Sequence, residues 1–245
     1  MSVLSKLNDC VDRKGAGFIV LIDPDKKNDK NINQLVDNAN TQGADAIFVG
    51  GSIMMDSLYH NRIERIKSIS DIPVILFPGG VNQVNKHYDA MLFMSLLSGR
   101  NPHYLIGEQV IAAPIVSDYG IETIPTGYLL IDGGSPTTVE FISGTKPLPP
   151  NRVDIIISHA LAAQFMGMQL LYLEAGSGAL NKIPTDVVSK VSNDINISII
   201  VGGGIRTPED ASELVKAGAS FVVVGSAIEK SIESMKQFSS AIHSN

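Results

Sequence analysis

Short apolar runs rich in β-branched residues recur along the chain, and each ends in Gly, Asp, Glu or Ser before a longer amphipathic stretch begins. That rhythm belongs to parallel βα units. It predicts eight strands, at about residues 18–22, 46–49, 74–77, 91–94, 128–131, 170–173, 198–201 and 221–224. Helical spacing fills most of the gaps, most clearly over 32–40, 58–69, 160–166, 211–217 and 227–242. An internal echo supports the pattern. Gly43-Ala44-Asp45-Ala46-Ile47-Phe48-Val49-Gly50 resembles Gly218-Ala219-Ser220-Phe221-Val222-Val223-Val224-Gly225, and Gly167-Met168-Gln169-Leu170-Leu171-Tyr172-Leu173 keeps the same plan. In each copy a glycine closes a helix, a buried strand follows, and polar or glycine residues mark its C-terminal end. The alternation favours a (β/α)8 barrel of the TIM type, one domain over residues 1–245, above an open doubly wound sheet.

One segment breaks the rhythm. Residues 132–150 carry Gly133, Gly134, Gly144, Pro136, Pro147, Pro149 and Pro150 among Ser and Thr, so the expectation is a long loop with neither helix nor central strand, either a lid or disordered.

Composition narrows the function classes. Apolar residues make up 44% and charged residues 18% of 245, which excludes a disordered chain. Nineteen Lys plus Arg against twenty-five Asp plus Glu leave a formal charge of −6, without the broad basic footprint that nucleic acid requires. An anionic ligand must be held locally. Cys10 stands alone and cannot form an internal disulfide, and the start of the chain lacks the apolar run of a signal peptide, so a cytoplasmic enzyme is expected. The longest apolar stretches, such as 91–97, fall far short of the ~20 residues of a membrane span, although an apolar patch or groove mouth can still touch a bilayer surface.

In such a barrel the active site lies just after the strands. Gly202-Gly203-Gly204-Ile205-Arg206 and Gly225-Ser226 follow the last two, placing bare amides where a phosphate can be held. Thr207, Pro208, Glu209 and Asp210 read as a cap and acidic first turn, so a helix starts directly after the glycines. The plainer reading is that these glycines only make tight turns. After the sixth strand comes Tyr172-Leu173-Glu174-Ala175-Gly176-Ser177-Gly178-Ala179. Alternation sends Tyr172 and Glu174 to one side, where Glu174 can accept a proton from a hydroxyl or, alternatively, pair with a neighbouring cation. Asp23, in Ile22-Asp23-Pro24-Asp25-Lys26-Lys27, and Ser52, in Gly50-Gly51-Ser52, end adjacent strands. They suit one Mg²⁺, which takes one or two protein oxygens and completes its shell with water and phosphate oxygens. Asp23 capping a turn before Pro24 is the alternative. Phe77-Pro78-Gly79-Gly80 and residues 91–97 add apolar bulk that serves as core or as a groove for a lipid tail. His60, His87, His103, His159 and His243 show no ligand spacing such as H-E-x-x-H, which argues against zinc, and no lysine occupies a strand interior, which disfavours Schiff-base chemistry although the strand-end Lys26 keeps it open.

Together, Leu21-Ile22-Asp23-Pro24-Asp25-Lys26, Gly50-Gly51-Ser52, Phe77-Pro78-Gly79, the 172–179 stretch, Val201-Gly202-Gly203-Gly204-Ile205-Arg206 and Val224-Gly225-Ser226 resemble the geranylgeranylglyceryl phosphate synthase family. The similarity runs over about residues 18–227. The Tyr-Leu-Glu-Ala-Gly-Ser-Gly run is specific to it, whereas the late glycine turns occur in many phosphate-binding barrels. Residues 125–131 with Gly144-Thr145-Lys146-Pro147 look like the branch that holds many archaeal and Bacteroidetes-type enzymes. The resemblance implies a Mg²⁺-dependent prenyltransferase of ether-lipid biosynthesis. It joins the 3-hydroxyl of sn-glycerol 1-phosphate to a polyprenyl diphosphate, geranylgeranyl diphosphate foremost, and releases diphosphate. It further implies that Asp23 and Ser52 bind the metal, and that Tyr172, Leu173, Glu174, Ala175, Gly176, Ser177, Gly178, Gly203, Gly204, Gly225 and Ser226 bind glycerol phosphate. Glu174 and Tyr172 are then catalytic, Arg206 adds charge or bridges at the helix cap, and the subunits form a homo-oligomer, a dimer or hexamer. Another branch places a lysine two residues before the metal-site aspartate. Here Leu21 stands there, and Lys26 is the expected substitute. A sugar-phosphate isomerase or lyase is the alternative function, and a noncatalytic phosphate-binding barrel a third.

Overall fold

The computed structural model describes residues 1–243, so the last two residues of the expected 1–245 domain lie outside it. Eight parallel strands close a barrel in sequence order: β1 Gly17–Ile22, β2 Ala46–Val49, β3 Val74–Leu76, β4 Ala90–Leu96, β5 Glu122–Leu130, β6 Leu170–Glu174, β7 Ser198–Gly202 and β8 Phe221–Val224, with β1 pairing β8. The helices are α1 Val3–Lys14, α2 Ile32–Thr41, α3 Tyr59–Ile69, α4 Glu108–Tyr119, α5 Thr138–Ser143, α6 Val153–Phe165, α7 Thr185–Asp194, α8 Pro208–Lys216, α9 Ser226–Lys230 and α10 Met235–His243. None of the described helices is long and apolar enough to cross a membrane.

Period-two alternation divides the core into two layers. Ile19, Phe48, Ile75, Leu92, Leu170 and Phe221 fill the barrel, while Val20, Ile47, Val74, Leu171 and Val222 pack outward against the helices. Helix α1 closes the N-terminal end: Val3 and Leu7 join the inner cluster, and the amides of Val3 and Leu4 donate to the Glu122 carboxylate at 2.5 and 2.9 Å.

Several departures from the sequence expectation have physical causes. Strand β5 begins at Glu122 rather than near 128: Pro125 pairs with Phe93 of β4 alone, ahead of the β6 ladder that starts at Thr126, and Gly127 is held between Ser95 of β4 and Leu171 of β6. The expected helix 227–242 is two helices with a 3₁₀ turn at Ile232–Ser234 between them, since Ser231 is extended (φ −146°, ψ 90°). The 132–150 segment does hold a helix, contrary to expectation. Thr137 caps α5 by accepting from the Glu140 amide, and Gly144, at φ 63°, ends it. The segment is folded and returns to the barrel, where Leu148 N donates to Leu130 O at 2.9 Å.

The ring of helices has one gap. Between β3 and β4 the chain makes only a 3₁₀ turn, Val81–Gln83. Beside that gap Val81, Met91, Phe93 and Met94 face the cavity described next.

Candidate active site

Strand β6 sets the geometry. Leu170 and Tyr172 point into the barrel and Leu171 and Leu173 out to the helices, so Glu174 enters the barrel mouth. Register places it beside Leu130 of β5 and Gly202 of β7. The side chain is nearly enclosed at 6% exposure, and Oε1 accepts the Gly176 amide at 2.7 Å. No cation pairs with it among the described residues, which removes the salt-bridge reading. Burial pushes its pKa up to about 7, against the lowering effect of the Gly176 amide and the neighbouring Tyr172 hydroxyl. The Tyr172 hydroxyl adjoins the carboxylate without meeting hydrogen-bond geometry and has no other partner among the described residues. Burial and the Glu174 charge hold that phenol well above its ordinary range, so it stays neutral.

The glycines after β7 fit around this carboxylate. Gly203 has φ 82°, and a Cβ there would collide with Glu174 Oε1 and stand 2.7 Å from the Gly176 nitrogen. The amides of Gly203, Gly204 and Gly225 have no hydrogen-bond partner among the described residues. Helix α8 is capped internally, since Thr207 Oγ1 accepts from Asp210 N and Asp210 Oδ2 accepts from Thr207 N, both at 3.2 Å. The glycine amides, rather than the start of α8, are therefore free to face an anion.

Across the mouth, Asp23 is one-third exposed and its carboxylate accepts no hydrogen bond among the described residues, so it does not cap the Pro24 turn. Burial raises its pKa to about 6, with Lys27 opposing and Asp25 and Glu229 adding to the rise. A Cβ on Gly51 would lie 2.7 Å from Asp23 Oδ1, so the loop carrying Ser52 passes directly beside this carboxylate. The Asp23 carboxylate, amid Asp25 and Glu229 and beside the Gly51–Ser52 turn, fits a hard cation that takes few protein ligands. Lys27, not the expected Lys26, is the lysine at the site: its Nζ lies 3.9 Å from Asp23 Oδ2 and 3.5 Å from Glu229 Oε2. Lys26 projects elsewhere, acting on Asp56.

Asp23, Ser52, Tyr172, Glu174, Gly176, Ser177, Gly178, Gly203, Gly204, Gly225 and Ser226 all line one cavity of about 1850 Å³. Leu173 and Ala175 do not; they are buried in the layer between barrel and helices, so their side chains cannot contact a ligand in the cavity. Arg206 lines the cavity but forms no helix-cap salt bridge among the described residues. Its guanidinium donates to Leu180 O (2.6 Å) and Ala179 O (2.8 Å), tying down the chain that follows Gly178.

The PcrB family profile matches residues 8–242. The chain belongs to the PcrB family. Among relatives of this PcrB-family chain, the geranylgeranylglyceryl phosphate synthase of Chitinophaga pinensis is 45% identical, over 96% of this chain and 95% of its own. That of Methanosphaera stadtmanae is 41% identical, over 97% and 96%. The crystal structure of (S)-3-O-geranylgeranylglyceryl phosphate synthase from Thermoplasma acidophilum in complex with sn-glycerol-1-phosphate superimposes with a TM-score of 0.94, at 37% identity and full coverage of both chains.

Three features of this PcrB-family site go beyond the sequence reading, which named Phe77 only as apolar bulk and gave Lys27 and Arg62 no role. Phe77 stacks on Tyr172 at 5.0 Å and tilts against Tyr128 at 6.2 Å, forming an aromatic floor. Its place at the end of the third strand was a usable signal. Lys27 was signalled by its i,i+4 spacing from Asp23. Arg62 gave no signal. Buried on α3, it donates to Pro24 O (3.3 Å) and to both oxygens of Asp56 (2.7 and 3.0 Å), while Nε lies 3.3 Å from Asp29 Oδ1. One side chain thus clamps the loop after Asp23 to the loop after Ser52.

Proposed function

We propose that this protein transfers a prenyl group from a polyprenyl diphosphate, geranylgeranyl diphosphate foremost, to the 3-hydroxyl of sn-glycerol 1-phosphate. The observation that carries this reading is the convergence, in one cavity, of unpaired glycine amides, a buried carboxylate and an apolar arm. The amides of Gly203, Gly204 and Gly225 take the phosphate, supported by Gly176, Ser177, Gly178 and Ser226. Glu174 then stands where the glycerol hydroxyl arrives and accepts its proton as the oxygen attacks. The new bond joins that oxygen to the allylic C1, the C1–O bond to diphosphate breaks, and its electron pair leaves with diphosphate. Positive charge developing on the allylic carbon is stabilised by the faces of Phe77 and Tyr128. Tyr172, neutral and beside Glu174, orients the carboxylate.

Asp23 and Ser52 would hold Mg²⁺, which supplies charge neutralisation for the departing diphosphate. The prenyl chain follows the apolar arm past Met91, Phe93 and Met94 to the gap between β3 and β4, whose open mouth supports transient contact with a membrane surface. A sugar-phosphate isomerase or lyase has no use for that arm. Exposed Ile106, Val110, Ile111 and Ile115 on and before α4 support self-association.

Incubation with sn-glycerol 1-phosphate and C20 prenyl diphosphate, with Mg²⁺, is expected to yield the prenylglyceryl phosphate ether and one diphosphate, read by mass spectrometry. Isomerisation or cleavage of a sugar phosphate without ether formation would replace this reading with the alternative. The Arg62 clamp leads to a second expectation. Arg62→Lys keeps the charge but loses the planar fork, and weakens Mg²⁺ binding or turnover by about 10- to 100-fold. Calorimetric Mg²⁺ titration beside initial rates checks it; unchanged values in both would mean the two loops hold their places without the clamp.

A further inference from the structure

At the N-terminal end of the barrel strands, away from Glu174 and Asp23 at the other end, three side chains of unlike chemistry meet. Cys10 projects from α1, Asp45 stands one residue before β2, and His243 lies in the last turn of α10. The Cys10 sulfur, a carboxylate oxygen of Asp45 and a ring nitrogen of His243 all lie within 4.8 Å of one another. They are enclosed rather than displayed: Cys10 is 4% exposed, and the side chains of Asp45 and His243 are 7% and 18% exposed. Nothing in the prenyl-transfer reading uses them.

The surroundings orient the ring as a ligand. Ser239 Oγ donates to Gly43 O at 3.3 Å and lies 3.3 Å from His243 Nδ1. With the hydroxyl proton committed to Gly43, Nδ1 is the donor in that contact, which fixes the ring as an outer partner fixes a metal-bound histidine. A neutral ring so held turns the Nε2 lone pair on Asp45 Oδ2, 2.8 Å away. Two facing lone pairs repel, so a proton or a metal ion must stand between them. The Asp45 carboxylate is already the local anchor, accepting Phe18 N at 2.8 Å and Lys14 Nζ at 2.5 Å.

We propose that Cys10, Asp45 and His243 form a structural site for a divalent cation of the zinc type, remote from the active site. Zinc bonds of about 2.0–2.3 Å hold tetrahedral ligand atoms about 3.3–3.8 Å apart, which small side-chain adjustments reach from the present arrangement. Thiolate and carboxylate balance the two positive charges, imidazole Nε2 is the third ligand, and water takes the fourth position. The Cys10 proton leaves to solvent as the thiolate forms, as does any proton on Nε2. Lys14, 37% exposed, swings out to solvent as the cation takes its place. The site would tie α1 and α10 to the start of β2. Its ligands are scattered over positions 10, 45 and 243, which is why no motif spacing announces it.

The test uses the full chain after chelator treatment. Co²⁺ is expected to give a sulfur-to-cobalt charge-transfer band that saturates at one equivalent and is bleached by Zn²⁺. Cys10→Ser abolishes the band, and His243→Asn weakens Co²⁺ binding at least ~10-fold. At free Zn²⁺ 100-fold above Kd the folded state gains about 2.7 kcal/mol, which raises the melting midpoint by about 5–10 °C in the unmodified chain but not in Cys10→Ser. No charge-transfer band, or one that persists in Cys10→Ser, overturns the proposal. Should Cys10→Ser fail to fold, His243→Asn decides on its own: Co²⁺ affinity equal to that of the unmodified chain overturns the site.

Discussion

Glu174→Gln is expected to lower kcat by about 10²- to 10⁴-fold, the usual contribution of a positioned proton acceptor, while sn-glycerol 1-phosphate binds within a few-fold of its original affinity. The substitution is nearly isosteric. The amide oxygen can still accept the Gly176 N–H, and the new NH₂ can donate to the Tyr172 hydroxyl, which has no hydrogen-bond partner among the described residues. With the carboxyl at about 7, kcat/KM in the unmodified chain should climb with pH below that value and level off above it, because the carboxylate is the working form. Stability should run the other way. Between the ordinary 4.5 and about 7 the folded chain binds more protons at this site than the unfolded chain, so stability falls as pH rises through that window. By pH 8 the displacement amounts to on the order of 3 kcal/mol. Glu174→Gln should therefore melt higher than the unmodified chain at pH 8 and much closer to it near pH 4. Full turnover in the variant, or a melting temperature that does not rise at pH 8, would remove the proton-acceptor role or the cause assigned to the shift.

The barrel was legible because its strands are buried on both faces and read as continuous apolar runs. Phe221–Val224 and Ala46–Val49 match the expected bounds. What misled was local composition whose cost the surroundings absorb. Pro125 sits within β5 where only β4 pairs with it, Gly127 where both neighbours do, and the Gly- and Pro-rich 132–150 segment still nucleates α5 at Thr137 and Glu140. The site was legible wherever a side chain follows a strand in register, as with Glu174, Asp23 and the β7 and β8 glycines. It was illegible for contacts made across elements. Alternation within one strand already separates Tyr172 and Glu174, which face the cavity, from Leu173 and Ala175, which face the helices. The i,i+4 spacing of Lys27 from Asp23 singles it out over Lys26 only once the 3₁₀ turn at Lys26–Asn28 is in place, and the Arg62 clamp joins loops that only the closed barrel makes neighbours.

Asp23→Asn is expected to reduce kcat/KM for the prenyl diphosphate by about 10²- to 10³-fold, equivalent to about 3–4 kcal/mol of transition-state stabilisation. The carboxylate is partly desolvated, accepts no hydrogen bond among the described residues, and lies with Asp25 and Glu229 against a single ammonium, that of Lys27. Such an arrangement leaves anionic oxygen facing the cavity, a poor investment for folding and a good one for attracting a cation. The variant should accordingly keep or slightly raise its melting temperature, since it removes a charge that burial opposes. Calorimetry with Mg²⁺ and inorganic diphosphate should show the metal-dependent heat lost, whereas sn-glycerol 1-phosphate should titrate as before, because its amides belong to β7 and β8 across the mouth. Ser52→Ala, which removes a neutral oxygen from an exposed turn, should show the same pattern at smaller amplitude. If Asp23→Asn binds Mg²⁺ as the unmodified chain does, the cation is held by the diphosphate alone and the carboxylate must be assigned to countering Lys27. If glycerol phosphate binding falls with it, the two halves of the cavity are coupled and the division of labour between the β1–β2 and β7–β8 ends is lost.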